Sequence, residues 1–243
     1  MKQNKYLSII IPFYNEEKRI KSLSKICDFL RKQQFTSELI FVNDGSVDNS
    51  KKEIKKYLKN LKFKNYKFIS YKQNKGKGYA IREGMLSATG DYRLFTDIDL
   101  STPIEEFNKF KPFLNKYDLV IGSRKRRGAI LIRRQSEFRE KLGKGFTLIS
   151  QIALGLNLTD FTCGFKCFSA DAAQAIFSRQ KIKRWGFDSE ILFLAKKLHF
   201  SIKEVPVIWE NDSETKVKLP QDIITSLSDL FKIRLHDFKK DYI

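Results

Sequence analysis

Apolar segments that alternate with amphipathic segments restrict the fold of this chain more than any other feature. LSIIIPFY (7–14) and SELIFVNDGS (37–46) have the composition of strands that are buried on both faces, whereas apolar residues in 16–33 recur at helical spacing. The same criteria predict strands at 66–73, 92–96 and 118–124 and helices at 51–65, 79–87 and 104–115. Strands that alternate with helices predict an α/β fold with a mostly parallel sheet flanked by helices.

The second half of the chain is richer in helices. Beyond residue 133 we expect a short strand at 165–169, helices at 170–178 and 187–198, and a strand at 201–209. We predict a catalytic domain over 1–212, with a donor half of about 1–124 and an acceptor half of about 125–212, followed by an amphipathic C-terminal helix within 213–243. The apolar face of that helix consists of Ile223, Ile224, Leu227, Leu230, Phe231 and Ile233. Two uses of this face remain open: it packs on the domain, or it contacts a membrane surface beside Lys232, Arg234, Lys239 and Lys240.

Polar residues follow each predicted strand of the first half. In parallel α/β sheets, ligands bind outside the carboxyl ends of the strands, so these residues are expected to converge on a single site. The converging segments are Pro12–Glu17, Asn43–Ser46, Asn74–Gly78, Asp97–Asp99 and Gly122–Arg124.

Two carboxylates, Asp97 and Asp99, come directly after a strand that reads as buried. Buried carboxylates are costly unless a positive charge compensates them. Mg²⁺ and Mn²⁺ bind one or two carboxylates together with substrate phosphates. The pair could also lie in an exposed turn, but its position after an apolar strand favours a metal site.

A further acid, Asp44, ends the neighbouring strand, and Tyr14 follows the first strand. Together with Pro12 and the Glu16–Glu17 pair, these residues indicate a pocket in which an acid accepts ring N–H groups and a tyrosine stacks on a base. Glu17 could equally be an acid at a helix N-terminus. The segment NKGKG (74–78) offers Lys75 and Lys77 to a ligand, but it has the spacing of neither a P-loop nor a GxGxxG turn.

The composition describes a basic, globular chain. Its 47 Lys and Arg residues outnumber 28 Asp and Glu residues, which gives a net charge of +19. Such a surface attracts nucleic acid, anionic lipid or phosphorylated substrates, although lysines on helices such as 51–65 can simply solvate an outer face. The three cysteines form no disulfide framework and lack the spacing of zinc ligands, which fits a reducing compartment. We expect no signal peptide and no membrane span. Together these two expectations favour a cytoplasmic protein.

Seven segments occur in an order that resembles a known family. They are SIIIPFYNEEKRI, FVNDGSVDNS, NKGKGYAIREGM, FTDIDLSTP, VIGSR, TCGFKCF and RWGFDSEIL. This set resembles the inverting family 2 glycosyltransferases with the GT-A fold, a Rossmann-like nucleotide-binding architecture. Within that family it is most similar to the branch of dolichyl-phosphate beta-glucosyltransferases and bacterial polyprenyl-phosphate glycosyltransferases.

The resemblance implies a nucleotide-sugar donor and a divalent metal, Mg²⁺ or Mn²⁺. The residues implied to hold uridine are Pro12, Tyr14, Glu16, Val42 and Asp44, with Asp44 at the uracil edge. Lys77 would lie near the nucleotide, Asp97 near the ribose and the metal, and Asp99 would be the main metal ligand. The implied reaction transfers a hexose, glucose from UDP-glucose, to a polyprenyl or dolichyl phosphate at a cytoplasmic membrane face.

A phosphate acceptor agrees with the lack of a convincing catalytic histidine, because His199 and His236 both lie in unremarkable contexts. A sugar hydroxyl needs a general base, whereas a phosphate monoester is already anionic at neutral pH. It needs guanidinium groups instead, which GSRKRRG and RRQSEFRE supply. By resemblance we assign this role to Arg124 and Arg139, with Ser123 and Arg134 as lesser candidates.

Three other functions remain open. Transfer to a saccharide or protein hydroxyl would need a carboxylate base, for which Asp188 and Glu190 are available, and GDP-mannose could replace UDP-glucose. A nucleic-acid-binding protein would explain the charge, but no recognised nucleic-acid module is present. The spacing from Gln180 to Arg184-Trp185 is one residue too long for the Q-x-x-R-W motif of processive synthases, which argues against polymerisation.

Overall fold

The computed structural model describes residues 6–133, 136–211 and 221–243. Nine strands lie in these ranges: β1 (Leu7–Phe13), β2 (Ser37–Asp44), β3 (Tyr66–Tyr71), β4 (Tyr92–Thr96), β5 (Leu119–Ser123), β6 (Ile130–Arg133), β7 (Phe165–Ser169), β8 (Ile202–Pro206) and β9 (Ile208–Glu210). The α-helices of the same ranges are α1 (Leu23–Arg31), α2 (Ser50–Asn60), α3 (Lys77–Ser87), α4 (Phe107–Leu114), α5 (Glu137–Leu154), α6 (Ala170–Arg179), α7 (Phe187–Lys197) and α8 (Gln221–Phe238).

Seven of the described strands form one sheet in the order β3-β2-β1-β4-β7-β5-β8. All neighbouring pairs in it are parallel except those of β7, which runs antiparallel to both β4 and β5. The order reverses between β1 and β4, and such a switch point opens a crevice at the carboxyl ends of the strands. This topology confirms the predicted mostly parallel α/β sheet.

Alternating side chains of the central strands pack into two cores on opposite faces of the sheet. Ile10 and Phe95 point into a core that is completed by α3, α6 and α7, with contributions from α5 and α8. Ile9 and Leu94 point into the other core, which α1, α2 and α4 cover. The lysine-rich α2 and the C-terminal α8 therefore lie on opposite sides of the sheet.

Three predicted elements differ in detail. The helix expected over 104–115 begins as a 3-10 turn, Ile104–Glu106, before α4. The helix expected over 16–33 begins as a 3-10 turn, Glu17–Ser22, before α1. The strand expected over 201–209 divides into β8 and β9, because Pro206 has no N–H with which to continue a ladder and β9 turns away to pair with β6.

The C-terminal helix packs on the domain through only part of its predicted apolar face. Leu230 and Ile233 are 3% and 0% exposed and Leu227 is half-buried, whereas Ile224 and Phe231 are 65% and 70% exposed. The side chain of Ile223 lies outside the described residues. Packing on the domain is confirmed for one side of the helix, and the other side remains open to solvent.

Candidate active site

The loops that follow β1 and β2 are joined by hydrogen bonds at the switch point. The backbone N–H of Asn15 donates to Ser46 Oγ at 3.0 Å, and Val47 N donates to Asn15 Oδ1 at 2.9 Å. The N–H of Glu16 donates to Ser50 Oγ at 2.7 Å, and its carboxylate pairs with Arg19 at 2.9 Å. Two of the predicted strand ends therefore meet as expected.

Asp44 joins the third strand end to the first two. Its carboxylate accepts hydrogen bonds from Asn74 Nδ2 (2.9 Å), Lys75 N (2.8 Å) and Gly76 N (2.9 Å), and the residue is 3% exposed. Asp44 thus shapes the NKGKG segment, and burial together with Asp44 raises the pKa of the neighbouring Tyr71 hydroxyl. Its contact with a nucleobase stays a prediction.

Gly76 is the position in this segment that requires glycine. Its φ of +105° is a conformation that other L-residues rarely adopt, and an added Cβ would lie 2.5 Å from the carbonyl oxygen of Lys183. The loop 181–186 therefore lies directly against the first turn of α3.

Lys77 and Asp97 form the centre of the site. Lys77 Nζ lies 2.6 Å from Asp97 Oδ1 and 5.5 Å from the ring centre of Trp185. Burial alone would lower the pKa of Lys77, but Asp97, with Asp188 and Asp99, raises it instead, so the ammonium group stays charged. The pairing brings the NKGKG segment and the Asp-x-Asp segment together, as predicted.

Asp97 and Asp99 are both half-buried at the end of β4. Burial, and then the negative charge of Asp97, raises the pKa of Asp99, while the backbone N–H of Ser101 donates to its carboxylate at 2.9 Å. A divalent cation would relieve this unfavourable charge, so the donor set fits Mg²⁺ or Mn²⁺. The described ranges contain no cluster of three or more His, Cys, Asp or Glu residues suited to a metal ion.

Arg124 is held by a carboxylate that the sequence reasoning missed. Its Nε and Nη2 donate to Asp160 at 2.7 and 2.8 Å, its backbone N–H donates to Asp160 at 3.0 Å, and Nη2 also donates to Thr162 Oγ1 at 2.8 Å. Asp160 is fully buried; although burial alone would raise its pKa, Arg124 lowers it. Within the described chain the Nη1 group of Arg124 has no hydrogen-bond partner.

The segment 160–164 connects this pair to the acidic pair. Asp160 and Thr162 hold Arg124, and an added Cβ at Gly164 would lie 2.3 Å from Asp97 Oδ2. Thr162 and Gly164 belong to the TCGFKCF motif, which carried no assigned role, whereas Asp160 lies two residues before that motif and had no signal in the sequence. The structure thus brings Arg124 and Asp97 to one end of the sheet through five consecutive residues.

The other predicted acceptor residues lie outside this contact network. Arg139 is half-buried in the first turn of α5, on the helix face of Gly143, whose carbonyl oxygen accepts from Lys125 Nζ at 2.9 Å. Ser123 is fully buried, and its hydroxyl contacts Thr159 Oγ1 at 2.8 Å. Arg134 lies outside the described residues.

The predicted nucleoside residues divide into two groups. Tyr14 and Glu16 are half-buried in the loop after β1, where a ligand could reach them. Pro12 and Val42 are buried as register partners within the sheet, and Val42 packs in the core beneath Gly84 of α3. The structure therefore does not bring the Val42 side chain to the surface of the site.

Asp188 and Glu190, the candidate bases, are both committed to structural partners. Asp188 forms a buried ion pair with Lys166, which also donates to the carbonyl oxygen of Cys163. Glu190 is fully buried and accepts from the backbone N–H groups of Lys181 and Ile182 at 2.9 and 2.8 Å.

Tyr242, near the C-terminus, is the third donor to Glu190. Its hydroxyl donates to Glu190 Oε1 at 2.7 Å, and its carbonyl oxygen accepts from Arg179 Nε at 3.0 Å. Glu190 therefore links the C-terminal segment to loop 181–186, which carries Trp185 beside Lys77. Neither histidine belongs to the site: His199 lies in an exposed turn, and His236 pairs with Asp241 at 2.7 Å.

This arrangement, a parallel sheet with an acidic pair at its switch point, agrees with the sequence comparison. The glycosyl transferase family 2 model matches residues 8–177, and the chain belongs to this family. It is a glycosyltransferase with the GT-A fold.

The chain is similar to dolichyl-phosphate beta-glucosyltransferases. It is 35% identical over 243 residues to that of Dictyostelium discoideum, which covers 95% of this chain and 74% of the relative. It is 33% identical over 244 residues to that of Homo sapiens, covering 95% and 75%.

A solved structure shares the fold. Glucosyl-3-phosphoglycerate synthase from Mycobacterium tuberculosis, in complex with Mn²⁺, UDP and glucosyl-3-phosphoglycerate, matches with a TM-score of 0.66 and 17% identity over 95% of this chain and 79% of that chain. In the described parts of the present chain, no helix is both long enough and apolar enough to cross a bilayer.

Proposed function

We propose that this glycosyltransferase transfers glucose from UDP-glucose to a polyprenyl phosphate and forms a beta-glucosyl phosphate lipid. Similarity to dolichyl-phosphate beta-glucosyltransferases over 95% of the chain carries the proposal. The complex of a GT-A neighbour with UDP and Mn²⁺ supports a uridine nucleotide and a divalent metal. The enzyme acts at the cytoplasmic surface of a membrane, where a polyprenyl lipid resides.

The donor lies at the switch point in this proposal. Tyr14 and Asp44 bind the nucleoside, and Asp97 and Asp99 hold the metal. When bound, the cation neutralises charge that develops on the departing nucleoside diphosphate. Lys77, kept charged by Asp97, adds a second positive group beside the diphosphate.

The acceptor approaches from the side of Arg124. One of its phosphate oxygens forms a bond to the anomeric carbon while the bond from that carbon to the diphosphate oxygen breaks, so the configuration inverts and UDP leaves as an anion. No proton has to be removed, because the phosphate monoester is already ionised. The open Nη1 group of Arg124 and the guanidinium of Arg139 orient the phosphate.

The geometry favours phosphate over a hydroxyl acceptor. A hydroxyl needs a carboxylate base, and both candidates, Asp188 and Glu190, are buried and engaged by neighbouring donors. No contact in the described residues favours a guanine nucleotide, so UDP-glucose stays the proposed donor.

Transfer of labelled glucose into a lipid fraction tests the proposal. With UDP-glucose, detergent-solubilised polyprenyl phosphate and Mg²⁺ or Mn²⁺, we expect a labelled product that disappears with chelator. Asp99→Asn should lower turnover at least about 100-fold, because a neutral amide is a poor ligand for a hard cation, while leaving the thermal unfolding curve nearly unchanged. Near-normal turnover of the variant would disprove the metal role, and absence of wild-type product while UDP-glucose still binds would disprove the acceptor.

A further inference from the structure

Helix α5 exposes an apolar stripe to solvent. The stripe consists of Phe138, Leu148, Ile149 and Ile152, which are 67%, 58%, 45% and 76% exposed. At 100° per residue these positions share one side of the helix, whereas Thr147 and Leu154 on the other side are buried. The stripe therefore points away from the core.

Helix α8 exposes a second stripe with the same spacing. Its members are Ile224, Phe231, Leu235 and Phe238, which are 65%, 70%, 38% and 86% exposed. Intervals of seven, four and three residues place them on one side of the helix, opposite the buried Ile233. An amphipathic helix usually turns such a side toward the protein, so both helices are unusual in the same way.

Both stripes lie on the same side of the protein. α5 and α8 pack against each other, and Leu154 of α5 and Ile233 of α8 enter the same core. We call these eight apolar residues of α5 and α8 the α5–α8 face. Single exposed apolar residues are common, but a set of eight on two helices in contact marks an interaction surface.

The charge of this region indicates the partner. Residues 124–144 contain nine Lys and Arg residues against two acidic residues, and Lys141 and Lys144 are exposed on α5 itself. Two copies of the face would bring like charges together, which disfavours self-association. Apolar side chains interspersed with basic ones match the interfacial zone of an anionic bilayer.

We propose that the α5–α8 face docks on an anionic membrane surface, with its apolar side chains among the acyl chains and its basic side chains at the headgroups. This rests on the proposed function, because a polyprenyl phosphate is presented by such a surface. Lys125, next to Arg124, donates to the carbonyl oxygen of Gly143 on the side of α5 opposite its stripe, so docking would place the candidate acceptor residue one helix diameter, about 10 Å, from the acyl chains.

Sedimentation with vesicles tests the docking surface. Wild-type protein should bind vesicles of phosphatidylcholine mixed with phosphatidylserine, more weakly at high salt and more weakly to phosphatidylcholine alone. The double variant Ile152→Ser/Phe231→Ser should lower the vesicle partition coefficient roughly tenfold or more, because burial of one large apolar side chain changes that coefficient by about tenfold. Both residues are exposed, so the thermal unfolding curve should not move.

Two further variants separate this face from general electrostatics. Lys141→Gln/Lys144→Gln should weaken binding several-fold at low salt only. Lys52→Gln/Lys56→Gln removes the same charge from α2 on the opposite side of the sheet and should bind as wild type does.

Three results would overturn the proposal: wild-type vesicle binding by Ile152→Ser/Phe231→Ser, equal weakening by the α2 variant, or a wild-type dimer in light scattering that the apolar variant disperses. All variants should retain glucose transfer to detergent-solubilised lipid phosphate. Loss of that activity in the wild type would instead count against the proposed function, so the two failures are distinguishable.

Discussion

Replacing Asp160 by asparagine should reveal how strongly the Arg124 side depends on one buried carboxylate. Each Asp160 oxygen accepts two hydrogen bonds: Oδ2 from Arg124 N and Nε at 3.0 and 2.7 Å, and Oδ1 from Arg124 Nη2 and Thr162 N at 2.8 and 3.1 Å. In either orientation an asparagine would direct its NH₂ group at two of these donors. The substitution therefore removes two bonds and leaves the guanidinium without its counter-charge.

Breaking one partner of a buried ion pair costs about 3 to 5 kcal/mol, a large part of the roughly 5 to 15 kcal/mol by which a domain is stable. For a chain of this size that corresponds to a fall in Tm of roughly 6 to 20 °C. Arg124, no longer oriented, should also use lipid phosphate less well, seen as a raised KM for the acceptor with little change in KM for UDP-glucose.

Asp28→Asn provides the matched control. It makes the same chemical change in an Asp–Arg pair of similar length, 2.9 Å, but there the two side chains are 57% and 46% exposed. A surface pair contributes about 0 to 1 kcal/mol, so urea denaturation should show little change. The reasoning would be refuted if Asp160→Asn cost no more than Asp28→Asn.

Two further predictions concern the loop 181–186. Gly76→Ala should lower the free energy of unfolding by about 1 to 3 kcal/mol in urea and weaken UDP-glucose binding in calorimetry, because the new Cβ would lie 2.5 Å from Lys183 O at a φ of +105°. Gly145→Ala is the control: no atom lies within 4 Å of its Cβ, so this change should be slightly stabilising. Equal effects of the two substitutions would contradict the steric argument. Tyr242→Phe should cost about 1 to 3 kcal/mol at neutral pH, since it removes a donor from the buried Glu190 carboxylate. Burial raises the pKa of Glu190, and loss of the hydroxyl donor raises that pKa further. The loss of unfolding free energy caused by Tyr242→Phe should therefore shrink as pH falls and Glu190 becomes protonated in the folded state. Denaturation curves in which this loss does not change with pH would refute this role of the hydroxyl.

Much of the site followed from local patterns. Apolar segments ended by Asp44 and by Asp97 predicted strand ends that meet, and the structure brings both to the switch point with Lys77 between them. This works because the carboxyl ends of parallel strands necessarily share one edge of a sheet.

Other properties could not be read from any local pattern. Arg124 pairs with Asp160 across 36 residues, and Glu190 with Tyr242 across 52, so these partners depend on how β5, α7 and α8 pack. For Val42 the resemblance implied a contact with uridine, and only the structure shows that its side chain lies in the core, so the contact stays a prediction.

The sequence by itself determined the α/β class, the family and the strand ends that form the site, because periodicity and motif order are properties of the chain. Only the tertiary structure decided which carboxylates are bound by other side chains, as for Asp188 with Lys166, since burial and pairing arise from contacts between distant segments. The same holds for α5 and α8: each pattern reads as an amphipathic helix, and only packing shows which apolar side chains face outward.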